Sequence, residues 1–261
     1  MPTLEAVFYA AGNVRAFAQP IVDHGIMLVG AWDMNAIPVA EMVLAQILLS
    51  CRGYYRTIRD YYEVQDQGKA KAFHRSGVNG ETIGLTGMGM IGKRLTALLQ
   101  GFSFRVIVND PYLSEEKATE LGVEIVSLEE LFRRSYIVSN HIPDLPSTKE
   151  VLTGSLFDSM KEGATFINTG RGAQVSEAGL IETLKNRPDL TALLDVTYPE
   201  PPDAGSELWT LPNVWISPHI GGSVGDEVVR MADCMIEEFQ AWESGKPLRY
   251  QITNDVLSTM G

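Results

Sequence analysis

Arg171, Asp195, Glu200 and His219 are the side chains of this sequence best placed to do polar chemistry together, because each follows closely on a short apolar run. The runs are INTGRG (Ile167–Gly172), LLDVTYPEPP (Leu193–Pro202) and ISPHIGG (Ile216–Gly222). An arginine presents paired N–H donors that match a carboxylate. A histidine beside a carboxylate is the usual general acid/base at neutral pH. Singly, each has a plain structural explanation: a helix-start Arg, a capping Asp, a loop Glu among prolines, a loop His after Pro218. In open α/β sheets, however, ligands bind beyond the carboxyl ends of the strands. All four at that edge point to a site.

A second cluster is ETIGLTGMGMIG, Glu81–Gly92. A β-type run, Thr82–Leu85, enters Gly87-x-Gly89-x-x-Gly92, and a helical pattern (Ile91, Leu95, Leu98, Leu99) follows at once. Strand, glycine turn and helix put a dinucleotide pyrophosphate on a helix N-terminus. Gly87 would make the tight turn, Gly89 would let the backbone approach the phosphates, and Gly92 would allow close helix–strand packing. A glycine-rich turn with no ligand has the same letters, so the motif alone does not decide. Asp110 ends the next strand, 18 residues past Gly92 (110 − 92). That is near the separation expected for a carboxylate accepting from an adenosine ribose, and its charge opposes a 2′-phosphate, which favours NAD over NADP. A turn Asp before Pro111 is compatible with the same role.

The elements that must carry these residues alternate. After Glu81–Gly92 the strands read as Phe104–Val108, Val123–Val126, Tyr136–Asn140, Ala164–Asn168, Leu190–Leu194 and Val214–Ser217, with helical patterns between them. The expected fold class is therefore α/β, with a doubly wound parallel sheet. Ahead of it, Leu4–Ala10 and Ile26–Val29 read as strands around the turn Ala11-Gly12-Asn13 and a helix over Val14–Val22. A long helix is expected from Ile37, with Asn35 as its N-cap and one apolar stripe running from Leu44 to Tyr62. The tyrosines at its far end suggest a subunit contact or packing within the chain. Asp66–Gly80 reads as a polar loop, His24 and His74 as surface or loop groups, Val224–Glu243 as a last helix, and the tail to Gly261 has no pattern. The expected division is residues 37–225 as one domain and 1–36 plus 226–261 as the other.

The 261 residues are 45% hydrophobic and 21% charged, with a formal net charge of -12. That charge disfavours a nucleic-acid partner. Cys51 and Cys234 are the only cysteines, which suggests no disulfide framework and a cytoplasmic location. No apolar run is expected to reach membrane-spanning length, so no membrane partner is expected. No His/Cys/carboxylate spacing suggests a metal site.

In the order GMGMIG, INTGRG, LLDVTYPEPP, ISPHIGG, the chain resembles the D-isomer-specific 2-hydroxyacid dehydrogenases from about Leu4 to the C-terminal helix. The resemblance implies a Rossmann NAD-binding domain with a flavodoxin-like substrate domain, expected to be truncated because family members carry further βα units before the LEAVFYAAG-like strand. It implies that Arg171 holds the substrate carboxylate and keto oxygen, that His219 is the acid/base, and that Glu200 pairs with His219. Backbone amides near Ala11, Gly12 and Asn13 would help to hold the carboxylate. The cofactor would be lined by Gly87, Gly89, Met90, Ile91, Gly92, Asp110, Pro143, Thr148, Thr169 and Gly222, with Arg171, His219 and Asp195, the last bonding the nicotinamide carboxamide. The implied activity is hydride transfer between NAD(H) and a small D-2-hydroxy acid or 2-oxo acid, in a homodimer. The alternative is an NAD(H)-binding, catalytically impaired sensor or assembly protein of the corepressor type. Tyr136 departs from the family pattern, which usually has Asp before the strand leading to His141-Ile142-Pro143.

Overall fold

The computed structural model describes residues 4–64 and 77–259. His74 and most of the loop expected over Asp66–Gly80 lie outside the described residues. The chain forms two compact units, Ala40–Gly221 and Met1–Val39 with Gly222–Gly261.

The larger unit is built on a seven-stranded sheet in the order β5-β4-β3-β6-β7-β8-β9. Its strands are β3 (Thr82–Thr86), β4 (Arg105–Asn109), β5 (Glu124–Ile125), β6 (Ile137–Asn140), β7 (Thr165–Asn168), β8 (Thr191–Leu194) and β9 (Val214–Ile216). Every pairing is parallel. Strands covered on both faces become nearly continuous apolar runs, and β6, β7 and β8 are buried at every residue. The strand order reverses at β3, which pairs with β4 on one side and β6 on the other. Such a reversal leaves a crevice at the carboxyl ends, where doubly wound sheets take their ligands.

The covering helices are positioned by their ends. Ser114 and Ser127 accept from the backbone N–H of Lys117 and Glu130 and so cap Glu115–Leu121 and Leu128–Arg134. Ser176 precedes Glu177–Asn186 in the cap position but makes no capping bond. Phe157 packs edge-on against both Phe132 and Phe166, with centroids 5.6 and 4.9 Å apart, and all three rings are fully buried beside the sheet. Tyr136 extends the ladder at the amino ends of the strands, its N–H donating to Thr82 O and its carbonyl accepting from Thr165 N. The residue that departs from the family pattern thus lies at the sheet edge opposite the candidate site.

The smaller unit holds β1 (Ala6–Tyr9) and β2 (Met27–Gly30), which are parallel, and β10 (Gln251–Ile252), which is antiparallel to β2. β10 lies in the tail where the sequence shows no pattern, and a two-residue strand is too short to give one. Adjacent residues of β2 face opposite ways: Leu28 joins Val14, Ala18, Ile252 and Leu257, while Val29 joins Ala31, Met231, Cys234 and Met235. Glu238 of the helix Glu227–Glu243 is buried and accepts from Arg249 N and Tyr250 N, which fixes the approach to β10.

The expected long helix differs in three ways. It starts at Trp32, not Ile37, so Asn35 lies inside the helix rather than capping it. It ends at Cys51, and a second helix occupies Tyr54–Val64. Gly53, at φ 65°, makes the break, in a backbone region that L side chains avoid. Tyr55 packs on Trp215 within the unit, centroids 5.5 Å apart, whereas Tyr54 and Tyr61 are exposed. The third difference concerns apolar length. Trp32–Cys51 has 20 residues and a mean hydropathy of 1.5, enough by length and composition to cross a membrane. Within it Ala36, Val39, Ala40, Val43, Ile47 and Cys51 are buried, whereas Leu49 is exposed.

Candidate active site

The turn after β3 has the shape that the glycine spacing implies. Gly87 sits at φ 94°, and a Cβ there would come within 2.5 Å of His141 O. A Cβ on Gly92 would lie 2.5 Å from Gly87 O, so this glycine lets the helix close on the turn itself rather than on the strand. Gly89 faces open space and no side chain caps the helix Met90–Leu99 behind it. The first-turn N–H groups, including those at Met90 and Ile91, therefore form an open anion-binding end. Asp110 Oδ2 accepts from Met88 N at 2.6 Å and Oδ1 from Tyr112 N at 2.8 Å, which ties the end of β4 to the glycine turn. Each carboxylate oxygen keeps a lone pair for a further donor.

On the next strands outward, Thr148 Oγ1 bonds back to Pro143 O at 2.7 Å and closes the loop after β6 on itself. Thr169, after β7, is buried, and its hydroxyl has no partner among the described residues. A buried hydroxyl left open after β7, and an uncapped, glycine-lined helix end after β3 on the same sheet, fit a bound dinucleotide, which brings acceptors and donors. His141 is held by burial at a pKa of about 4, and is therefore neutral, with Nε2 2.9 Å from Ser139 Oγ.

The residues expected to do the polar chemistry lie on the loops after β7, β8 and β9, three neighbours in the sheet. His219 Nδ1 is 2.5 Å from Glu200 Oε1. Asp195 is 2% exposed, and its carboxylate accepts from Ser217 Oγ at 2.6 Å, Ile220 N at 2.9 Å and Gly221 N at 2.8 Å. These bonds hold the His219 loop from both sides, and a carboxamide contact would have to share an oxygen already engaged. Arg171 Nη1 donates to Gly170 O at 2.7 Å, leaving the other guanidinium N–H groups for a ligand. Gly172 lies so close to the Thr197 backbone that any Cβ would overlap it, which seats the Arg171 loop against the loop leading to Glu200.

Two groups of expected site residues are in the smaller unit. The turn Ala11–Asn13 belongs there, with Asn13 Oδ1 accepting from Arg15 N at 2.8 Å. Gly222 belongs there too, next to Asn35, whose Oδ1 accepts from Ser223 N at 2.9 Å. A Cβ on Gly12 or on Gly222 would collide with the Asn35 side chain, so Asn35 joins these two segments. Among the described residues no group of three or more His, Cys, Asp or Glu could hold a metal ion.

Sequence reasoning missed a buried amide network beneath the edge. Asn140, ending β6, accepts from Thr86 Oγ1 at 2.8 Å and donates to Asn168 Oδ1 at 3.0 Å and Gln174 Oε1 at 2.6 Å. Asn168 Nδ2 in turn donates to Arg171 O at 3.2 Å. Asparagines ending two adjacent buried strands were the available signal.

Residues 45–221 match the model of the D-isomer specific 2-hydroxyacid dehydrogenase, NAD binding domain. D-3-phosphoglycerate dehydrogenase of Archaeoglobus fulgidus is 30% identical over 226 residues, which are 87% of this chain and 42% of that protein. The corresponding enzyme of Methanocaldococcus jannaschii is 30% identical over 90% of this chain and 44% of its own length. The chain thus spans less than half the length of these two relatives. Among solved structures, a phosphoglycerate oxidoreductase from Rhizobium etli aligns with TM-score 0.81 and 26% identity, covering 98% of this chain and 79% of that one. Apo D-mandelate dehydrogenase of Rhodotorula graminis gives 0.79 and 25%, over 95% and 74%. With the family's NAD-binding domain matched over residues 45–221 and its sheet in place, the chain belongs to the D-isomer-specific 2-hydroxyacid dehydrogenases.

Proposed function

We propose that this chain transfers hydride between NAD(H) and a small D-2-hydroxy acid or 2-oxo acid, and the observation that carries the reading is the His219–Glu200 pair. With Nδ1 taken by Glu200, Nε2 is the nitrogen left to exchange a proton with substrate. Protonated His219 donates from Nε2 to the keto oxygen, and Glu200 stabilises the imidazolium and fixes the ring. When bound, NADH supplies the hydride to the carbonyl carbon. Arg171 orients the 2-oxo acid by its carboxylate and offsets charge on the oxygen. Asp195 keeps the His219 loop in place through Ile220 N and Gly221 N. In the oxidative direction neutral His219 takes the proton back.

For the cofactor we assign the amides of the Gly87–Gly92 turn to the pyrophosphate, Asp110 to the adenosine ribose and Asp195 to the nicotinamide carboxamide, with Pro143, Thr148, Thr169 and Gly222 lining the cofactor. Ala11, Gly12 and Asn13 are assigned to the substrate carboxylate. Residues 1–36 and 226–261 are read as part of a substrate domain and 37–225 as the NAD-binding domain. The buried free thiols of Cys51 and Cys234 support a cytoplasmic location, and exposed Tyr54 and Tyr61 support a homodimer. The net charge of -12 supports the absence of a nucleic-acid partner, and the burial along Trp32–Cys51 the absence of a membrane partner.

NADH oxidation should be followed against phosphorylated, aromatic and aliphatic 2-oxo acids. Oxidation with any of them supports the reading. Tight NADH binding without oxidation by any of them would favour the corepressor-type alternative, which the intact His219–Glu200 pair disfavours.

A further inference from the structure

We propose that Gln174 is a positioning residue that links the cofactor-lining loop at Ile142–Pro143 to the backbone of Arg171. The proposal rests on the reading of Arg171 as the substrate-binding residue. Gln174 is 0% exposed and lies in the short turn that follows Arg171. Its Nε2 donates to Ile142 O at 2.6 Å, and its Oε1 accepts from Asn140 Nδ2 at 2.6 Å and from Arg171 N at 3.3 Å. One planar amide therefore grips the loop after β6 with its donor end and the loop after β7 with its acceptor end.

The partners leave Gln174 little freedom. Both protons of Asn140 Nδ2 are used, on Asn168 Oδ1 and Gln174 Oε1, and Asn140 Oδ1 accepts from Thr86 Oγ1 and Ile142 N. Asn168 Oδ1 accepts from Gly170 N, and its Nδ2 donates to Arg171 O. The N–H and the C=O of Arg171 are thus fixed by Gln174 and Asn168, and Ile142 N and Ile142 O by Asn140 and Gln174, so Gln174 is the amide common to both loops. A displacement of the Ile142–Pro143 loop must be followed by the Arg171 backbone or break a buried bond, and an unpaired buried amide is costly. The chain can thereby set the substrate arginine when the cofactor loop is set.

The test uses the whole chain and two variants, with hydrogen–deuterium exchange read over 141–148 and 169–175, with and without NADH. In the parent chain NADH should protect both segments. Gln174→Met removes all three bonds. Gln174→Glu keeps one oxygen as acceptor for Asn140 and Arg171 and serves should the Met variant fold poorly; its second oxygen faces Ile142 O, so this variant is read at alkaline pH, where the ionised carboxylate has no proton to donate. The expected result is that NADH still protects 141–148 in both variants while protection of 169–175 is lost. The KM for a 2-oxo acid should rise roughly tenfold in Gln174→Met, with a smaller rise in Gln174→Glu. Equal protection of both segments in the two variants would overturn the link. The expected exchange pattern with an unchanged KM would instead overturn the assignment of Arg171 to the substrate.

Discussion

His219 Nδ1 meets Glu200 Oε1 at 2.5 Å from a backbone held at φ 53°, the left-handed region that a non-glycine residue seldom enters. The amides of the next two residues, Ile220 and Gly221, are both bonded to buried Asp195. A conformation that costs about 1–3 kcal/mol is thus maintained by a carboxylate on the neighbouring strand's end. The strain and its anchor together aim the imidazole at Glu200.

Glu200→Gln keeps an oxygen near His219 Nδ1 but removes the charge that stabilises the imidazolium. The kcat should fall by roughly 10²–10⁴, as when the carboxylate of a His–carboxylate pair is neutralised. NADH affinity, measured by fluorescence titration, should stay within about twofold, since a change this small is under 0.5 kcal/mol.

Asp110→Ala removes both the acceptor assigned to the ribose and the bond to Met88 N. NADH binding should weaken about tenfold or more, the effect of losing a hydrogen bond to a charged group. Discrimination against NADPH should shrink with it. Paired titrations with the two cofactors check this, and an unchanged preference would count against the assignment.

His141 couples the cofactor loop to pH. Burial pulls its pKa from 6.5 to about 4, so below pH 6.5 the unfolded chain takes up a proton that the folded chain does not. The stabilisation is fully present above pH 6.5 and is lost as pH falls towards 4, with a total of roughly 3 kcal/mol. Denaturant midpoints of His141→Gln should show a flatter pH dependence across that window than the parent chain. Parallel curves would refute the burial argument.

Glu238 is 1% exposed and accepts from Arg249 Nε at 2.8 Å as well as from two backbone N–H groups. Glu238→Ala leaves those half-buried N–H groups without their carboxylate and should cost about 1–3 kcal/mol. The loss should be visible as a lower thermal midpoint of the smaller unit, with NADH binding by the larger unit retained.

The strands and their alternation were legible because buried parallel strands write themselves as apolar runs, and the position of the candidate residues at the strands' carboxyl ends because they follow those runs. Asn35 was misread because an asparagine ahead of an apolar stripe has the same local signature as an N-cap, while its actual neighbours, Ser223 and the glycines at 12 and 222, are remote in sequence. The break at Gly53 was hidden by a stripe that resumes at Tyr55 in nearly the same phase. Asn140 and Gln174 were invisible as a pair for the same reason as Asn35: their bond spans 34 residues, and polar residues at strand ends read as turn formers. Asp195 was legible as a strand-end carboxylate, but its hold on the Ile220 and Gly221 amides depends on how the loop after β9 folds back over β8.

The most direct test of the central claim is His219→Gln, with single-turnover kinetics and NADH fluorescence measured on the same preparation. Removing the acid/base should lower the rate of hydride transfer to a 2-oxo acid by roughly 10²–10⁴ and leave NADH affinity unchanged. Turnover at the parent rate would contradict the account.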